Sequence, residues 1–166
     1  MRPTRSRRST TASLVSPTAG QKWGEDLSQH PVGTGPFRVL LWSQMHGDES
    51  TASMALADIF AYLASVEADP LRDRLQRELT ITFVPMLNPD GAELFQRENA
   101  AGIDVNRDGR QLSTPEARAL KALRDRLQPQ VGFNLHDQNA RTRAGGEGFG
   151  GHSRAWLVCG RCEGLH

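Results

Sequence analysis

The sequence predicts an α/β fold, an open, mostly parallel or mixed sheet flanked by helices. The order of elements is the first reason: strand, helix, strand, loop, helix, strand is the alternation that builds such sheets. The second is the texture of the strands. Phe37 to Met45, Leu79 to Leu87 and Val131 to Leu135 are nearly continuous apolar or β-forming runs, as buried strands are. The third is the placement of polar chemistry. His46 and His136 each close one of these runs, so candidate reactive groups gather at the carboxyl ends of strands, where open α/β sheets bind their ligands.

Residues 1–32 are rich in Arg, Ser, Thr, Pro and Gly and carry no periodicity, which predicts a disordered segment. Arg2, Arg5, Arg7 and Arg8 make it basic, yet no apolar signal-peptide core follows, so a solvated basic arm is expected. Gly33-Thr34-Gly35-Pro36 is a turn signal ahead of the first strand. Residues 49–66 then place Met54, Leu56, Ile59, Phe60 and Leu63 close to helical spacing. Asp69 to Glu78 reads as a short charged helix with Leu71 and Leu75 on one face, and Leu79 to Leu87 as the second strand. Residues 88–112 form a long loop, a length that inside a domain usually carries function. Thr114-Pro115-Glu116 starts the next helix, with Pro at its first position and an acid in its first turn, and Pro129 stops it before the strand at Val131. From about Ala144 the chain turns Gly-rich. The expected organisation is therefore a basic segment at 1–32, a folded domain at 33–143 and a Gly-rich tail at 144–166.

With 166 residues, 37% of them hydrophobic, the chain can bury one core and is short for two domains. A net charge of +1 gives no reason to expect nucleic acid or an anionic membrane as a partner. No apolar run approaches the length of a membrane span, and the default expectation is cytoplasmic, with the oligomeric state left open. Cys159 and Cys162 are too few for a disulfide framework. They make a lone Cys-x-x-Cys flanked by His152 and His166, without the second ligand pair of a regular structural zinc site.

His46 and Glu49 stand three residues apart where a strand gives way to a helix, so an imidazole nitrogen and a carboxylate oxygen can aim at one point. His136, closing another strand, is the candidate third ligand. A catalytic zinc ion typically takes three such protein ligands and keeps a fourth position for water. The same residues have a plainer reading. Asp48, Glu49 and Ser50 are ordinary helix-cap and first-turn residues, and a strand-end histidine can be purely structural.

The segment between adds Asn88-Pro89-Asp90-Gly91, then Arg97, then Asp104-Val105-Asn106-Arg107. His-x-x-Glu, Asn-Pro-Asp-Gly, an arginine, Asp-x-Asn-Arg and a later strand-end His, in that order over about residues 33–143, resemble the zinc metallocarboxypeptidases of the carboxypeptidase A-like M14 type. The resemblance implies a partial zinc-carboxypeptidase fold and one Zn²⁺ on His46, Glu49 and His136. It also implies that Asn106 and Arg107 grip the substrate's terminal carboxylate, that Arg97 polarises the scissile carbonyl and that Asp104 supports the first zinc histidine. Chemistry agrees with these assignments: an arginine fork matches a carboxylate bidentately, and an Asp behind a zinc histidine fixes its tautomer.

The chain then departs from the pattern. The resemblance implies further strands, a tyrosine that closes over substrate and a general-base glutamate after the third ligand, whereas the only downstream glutamates are Glu147 and Glu163 and the single tyrosine is Tyr62. A chain truncated or frameshifted after the third ligand is the expectation, with its own activity in doubt for want of the base. Three functions follow. The first is zinc-dependent hydrolysis of a C-terminal peptide bond by a metal-activated water. The second is a zinc amidohydrolase of the aspartoacylase or succinylglutamate desuccinylase type, acting on an acylated amino acid. The third is a non-catalytic fragment that keeps a metal or carboxylate pocket. The expected partner is a peptide or an acylated amino acid with a free terminal carboxylate.

Overall fold

The first apolar run forms β1 (Phe37–Ser43), and the chain continues through α1 (Thr51–Ala64), α2 (Pro70–Glu78), β2 (Leu79–Val84), α3 (Pro89–Leu94), a 3₁₀ turn at Val105–Arg107, α4 (Pro115–Leu127), β3 (Val131–His136) and β4 (Arg154–Cys159). The computed structural model describes residues 31–137 and the backbone of β4. Glu147, His152, Cys162, Glu163 and His166 lie outside the described residues, as do the four arginines of the basic segment. The strand order is β2-β1-β3-β4. β1 runs parallel to β2 and β3, and β4 pairs antiparallel with β3. The fold is thus α/β, an open sheet with three parallel strands and helices around them.

Crossovers on opposite faces build the domain. α1 and α2 connect β1 to β2 on one side, where Leu56, Phe60 and Leu63 pack with Ile81, Phe83 and Val32. Phe60 meets Phe83 edge to face, with ring centroids 5.7 Å apart. α4 returns the chain to β3 on the other side, where Leu123 joins Leu40, Trp42, Met45, Val84, Leu87 and Val105. Strand periodicity sends Val39 and Leu41 into the first layer and Leu40 and Trp42 into the second. Both faces of β1 are therefore apolar.

Helix ends follow the local chemistry. Asp69 caps α2 by accepting from the N–H groups of Leu71 and Arg72, and Thr114 caps α4 by accepting from Ala117, each with Pro at the helix start. The structure differs from the sequence reading in which faces are buried, in the order of the 88–112 segment and in the boundary at Val32, which the sequence places in the disordered segment. In α1 the buried stripe is Ala52, Leu56, Phe60 and Leu63, while Met54 and Ile59 are exposed. In α2 it is Arg72 that is buried and Leu71 that is exposed. The 88–112 segment is more ordered than a bare loop, holding α3 and the 3₁₀ turn. Val32 pairs with Ile81 on the outer edge of β2 and belongs to the core.

From β1 the chain moves outward to β2 and then crosses back to β3 on the other side of β1, so the winding reverses between β1 and β3. The carboxyl ends of strands at such a reversal open a crevice. His46 follows β1 and His136 ends β3.

Candidate metal centre

A bend in the backbone aims His46. Gln44, just past β1, takes a left-handed φ of 52°, uncommon for a residue with a side chain. Its amide folds inward and donates to the Gly47 carbonyl at 3.0 Å. The Glu49 N–H then donates to the His46 carbonyl at 3.2 Å, closing the turn that brings the two side chains to one side. Asn-Pro-Asp-Gly braces this turn from below. The Asn88 side chain donates to the Met45 carbonyl at 3.2 Å and accepts from the Gly91 N–H at 2.9 Å, and the Asn88 N–H donates to the Gln44 carbonyl at 3.0 Å. Gly47 and Gly91 are back to back. A Cβ built on Gly47 would lie 1.9 Å from the Gly91 carbonyl carbon, so only glycine permits the approach.

His46, Glu49 and His136 converge. One ligand atom from each lies within 4.8 Å of the others. Glu49 bridges the two histidines, one oxygen 2.8 Å from His46 Nδ1 and the other 2.7 Å from His136 Nδ1. The imidazole rings stand 4.8 Å apart, tilted by 36°. Both histidines are buried. Burial opposes ionisation of Glu49, but hydrogen bonds from His136 and His46 outweigh it and bring its pKa down to about 2. Two imidazoles and one ionised carboxylate are a donor set that zinc takes while keeping a position open.

Behind His46 stands Asp104. One of its oxygens lies 3.2 Å from His46 Nε2, which leaves Nδ1 to face Glu49 and His136. Its other oxygen accepts from Arg97 Nε at 3.1 Å and from a terminal nitrogen of Arg97 at 2.9 Å. The remaining Arg97 nitrogen points into the cluster, 3.3 Å from His46 Nδ1 and 3.9 Å from Glu49. Burial raises the Asp104 pKa, and the Arg97 hydrogen bonds and charge override it, so the carboxyl is held below its usual range. A carboxylate that orients a ligand histidine is the common outer support of a zinc site.

Asn106 and Arg107 follow in the 3₁₀ turn that Asp104 caps through the Asn106 N–H, at 2.9 Å. Asn106 Oδ1 accepts a long bond, 3.5 Å, from the Asn134 amide on β3. Asn134 precedes His136 by two residues and shares its face of the sheet, so Asn106 is tied to the same region. Arg107 is exposed, and its guanidinium has no partner among the described residues. The structure thus brings His46, Glu49, His136, Asp104 and Arg97 into one connected cluster and links Asn106 to its border, with Arg107 beside it in the turn.

Several supports were not singled out in the sequence. Asn99 is buried, and its amide donates to buried Glu116 on α4 at 3.1 Å, which anchors the chain just after Arg97. Asp108, next to Arg107, accepts from the backbone and hydroxyl groups of both Ser113 and Thr114. Burial works against its charge, yet these hydrogen bonds keep its pKa well below the ordinary carboxylate value. Asp137, next to His136, accepts from the Thr51 N–H at 3.0 Å. Asn134 has one weak signal in the sequence, a polar residue inside an apolar strand two positions before His136, which does not by itself separate a site residue from an ordinary strand Asn.

A parallel-stranded α/β frame with His, Glu and His meeting at its winding reversal defines a candidate site for one metal ion. The chain belongs to the zinc carboxypeptidase family, peptidase M14, whose family model matches residues 23–141. It is 30% identical over 116 residues to a probable carboxypeptidase 2 of Arthroderma benhamiae, covering 70% of this chain and 21% of that protein. Mouse carboxypeptidase M is 33% identical over 95 residues, covering 51% of this chain and 21% of that one. Among solved structures, a metallo-carboxypeptidase from Burkholderia cenocepacia superposes with a TM-score of 0.60 at 25% identity, covering 65% of this chain and 32% of that one. A metallo-carboxypeptidase from Pseudomonas aeruginosa, solved in complex with (2-guanidinoethylmercapto)succinic acid, gives 0.57 at 25% identity, covering 65% and 30%. The chain spans about a fifth of the length of these curated relatives and about a third of these solved ones.

Proposed function

We propose that this chain carries the metal- and carboxylate-binding part of a zinc carboxypeptidase, a hydrolase that removes C-terminal residues from peptides. The convergence of His46, Glu49 and His136 from two strand ends, backed by Asp104, is the observation that carries the reading. These three residues would hold one zinc ion, which supplies a water of lowered pKa and a Lewis acid toward a carbonyl oxygen.

The chain's own residues would do the rest. With zinc bound, Asp104 would accept from His46 Nε2 and so hold the tautomer whose Nδ1 lone pair faces the metal. The same carboxylate grips Arg97 by two nitrogens and fixes the third toward the cluster. Arg97 is then a pre-oriented donor for the carbonyl oxygen on which charge develops. Asn106 and Arg107 would take the terminal carboxylate, Arg107 through its fork of donors. Glu147 and Glu163, the downstream glutamates, lie outside the described residues, so no general base is assigned, and activity of the chain is a separate question from binding.

Binding separates these possibilities. The zinc-loaded chain, titrated calorimetrically with an N-acetylated dipeptide, should bind the free acid and not its C-terminal amide, and Arg107→Ala should abolish the difference. Equal binding of acid and amide would remove Asn106 and Arg107 from the proposal. Release of acetate from an N-acetylated amino acid, with no cleavage of peptides, would favour the amidohydrolase reading instead.

A further inference from the structure

We propose that Asp137 is a positioning residue for the metal centre, holding the end of β3 that carries His136 against the start of α1, just beyond Glu49. The inference rests on the metal reading above. Its starting point is an anomaly in helix capping. The first turn of any helix leaves N–H groups without partners inside the helix. α2, α3 and α4 satisfy some of theirs locally, through Asp69, Asn88 and Thr114. At α1 the N-cap Ser50 has a right-handed helical backbone, and its side chain makes no capping bond. The Thr51 N–H instead donates to Asp137, 86 residues away in sequence, at 3.0 Å.

That bond closes a small ring. Glu49, Ser50 and Thr51 are consecutive, His136 and Asp137 are consecutive, and the ring is completed by Thr51 N–H to Asp137 at one end and by His136 Nδ1 to Glu49 at the other, 2.7 Å. Two ligands from distant parts of the chain are therefore held in register by a contact that does not use their own side chains. Adding negative charge at the amino end of α1 is also favourable toward the helix dipole. The other Asp137 oxygen is buried and has no partner among the described residues. A carboxylate is thus not required by what it touches: one acceptor atom suffices, and an asparagine can supply it.

The test uses the full chain and reads zinc affinity by competition with a colorimetric chelator, together with the melting temperature in excess EDTA. Asp137→Ala should weaken zinc binding by about tenfold to a hundredfold, the usual effect of losing an outer support. Asp137→Asn, which keeps the acceptor, should stay within about threefold of the parent on the same scale. Should the alanine chain fail to fold in EDTA, Asp137→Ser, polar but too short to reach Thr51, takes its place with the same expected loss. A lowered melting temperature with zinc affinity unchanged would overturn the proposal, leaving Asp137 a structural cap only. Equal loss in the asparagine and alanine variants would overturn it too. His136→Ala separates the two levels. If it abolishes tight zinc binding while Asp137→Ala does not weaken it, only the role of Asp137 falls; if the parent chain binds no zinc, both readings fall.

Discussion

Asp104 is the residue on which the most geometry depends. A single carboxylate orients His46 with one oxygen and Arg97 with the other, and it caps the turn carrying Asn106 and Arg107. Its loss should therefore be felt in several functions together. Asp104→Ala should lower zinc affinity by roughly ten- to a hundredfold, whereas Arg97→Ala, which leaves the His46–Asp104 contact intact, should leave affinity close to that of the parent. Chelator competition on the purified variants decides this. If Arg97→Ala proved as damaging as Asp104→Ala, the arginine would be holding the carboxylate rather than being held by it. At this scale the sequence was informative wherever residue type and order were restrictive. His46, Glu49 and His136 are legible from ligand type and spacing, and Asp104 and Arg97 from the ordered motifs of the family resemblance. Asn134 and Asp137 are not, because an Asn within a strand and an Asp after one have many ordinary uses and only three-dimensional proximity distinguishes theirs.

Between elements, two loop contacts should matter more than their sequence suggests. The Gly47–Gly91 approach joins the loop bearing His46 to α3. A methyl group on Gly47 would fall 1.9 Å from backbone rather than near a flexible side chain, so the loop must move as a unit. Gly47→Ala should cost about 1–3 kcal/mol, the range of overpacking, and should weaken zinc binding as well, measured by denaturant unfolding and chelator competition. Unchanged stability would mean that the α3 contact is dispensable. The second contact is Asp108, which locks the loop from the 3₁₀ turn to α4 through Ser113 and Thr114. Its pKa in the fold is depressed from 3.8. The stability it contributes is therefore complete above about pH 3.8 and is lost as pH falls through the lower folded value. Asp108→Asn should flatten the acid side of the stability profile between pH 4 and pH 2 relative to the parent, in approximate terms. A parallel decline in both proteins would assign the acid sensitivity to other carboxylates. The capping of α2 and α4 was readable from Asp69, Thr114 and the prolines because those signals are local. The stripes of α1 and α2 were read less well, since Met54, Ile59 and Leu71 have apolar side chains at plausible spacing and only the packing of neighbours decides which arc faces the sheet.

Across the whole molecule, the sequence's strand, helix and loop order sufficed for an α/β sheet, because continuous apolar strands separated by amphipathic helices leave few other arrangements. It did not reveal β4, although Trp156, Leu157 and Val158 are strand formers, because their Gly-rich surroundings carry no periodic signal and the pairing with β3 is a long-range choice. The sheet also explains how a metal would act on stability. His46 and Glu49 belong to the connection after β1, His136 to the end of β3, and the ordered strands between them exist only in the folded chain. An ion that binds this arrangement and not the unfolded chain stabilises by mass action, about 2.7 kcal/mol at a free concentration one hundred times its dissociation constant. For a chain of this size each kcal/mol is worth roughly 2–4 °C. Zinc should accordingly raise the melting temperature by several degrees in a concentration-dependent manner, and EDTA should reverse it. His136→Ala should abolish that increment while changing the melting temperature in EDTA far less, because the fold's apolar layers do not include the imidazole. A zinc-dependent rise of the same size in His136→Ala would place the stabilising ion elsewhere on the chain.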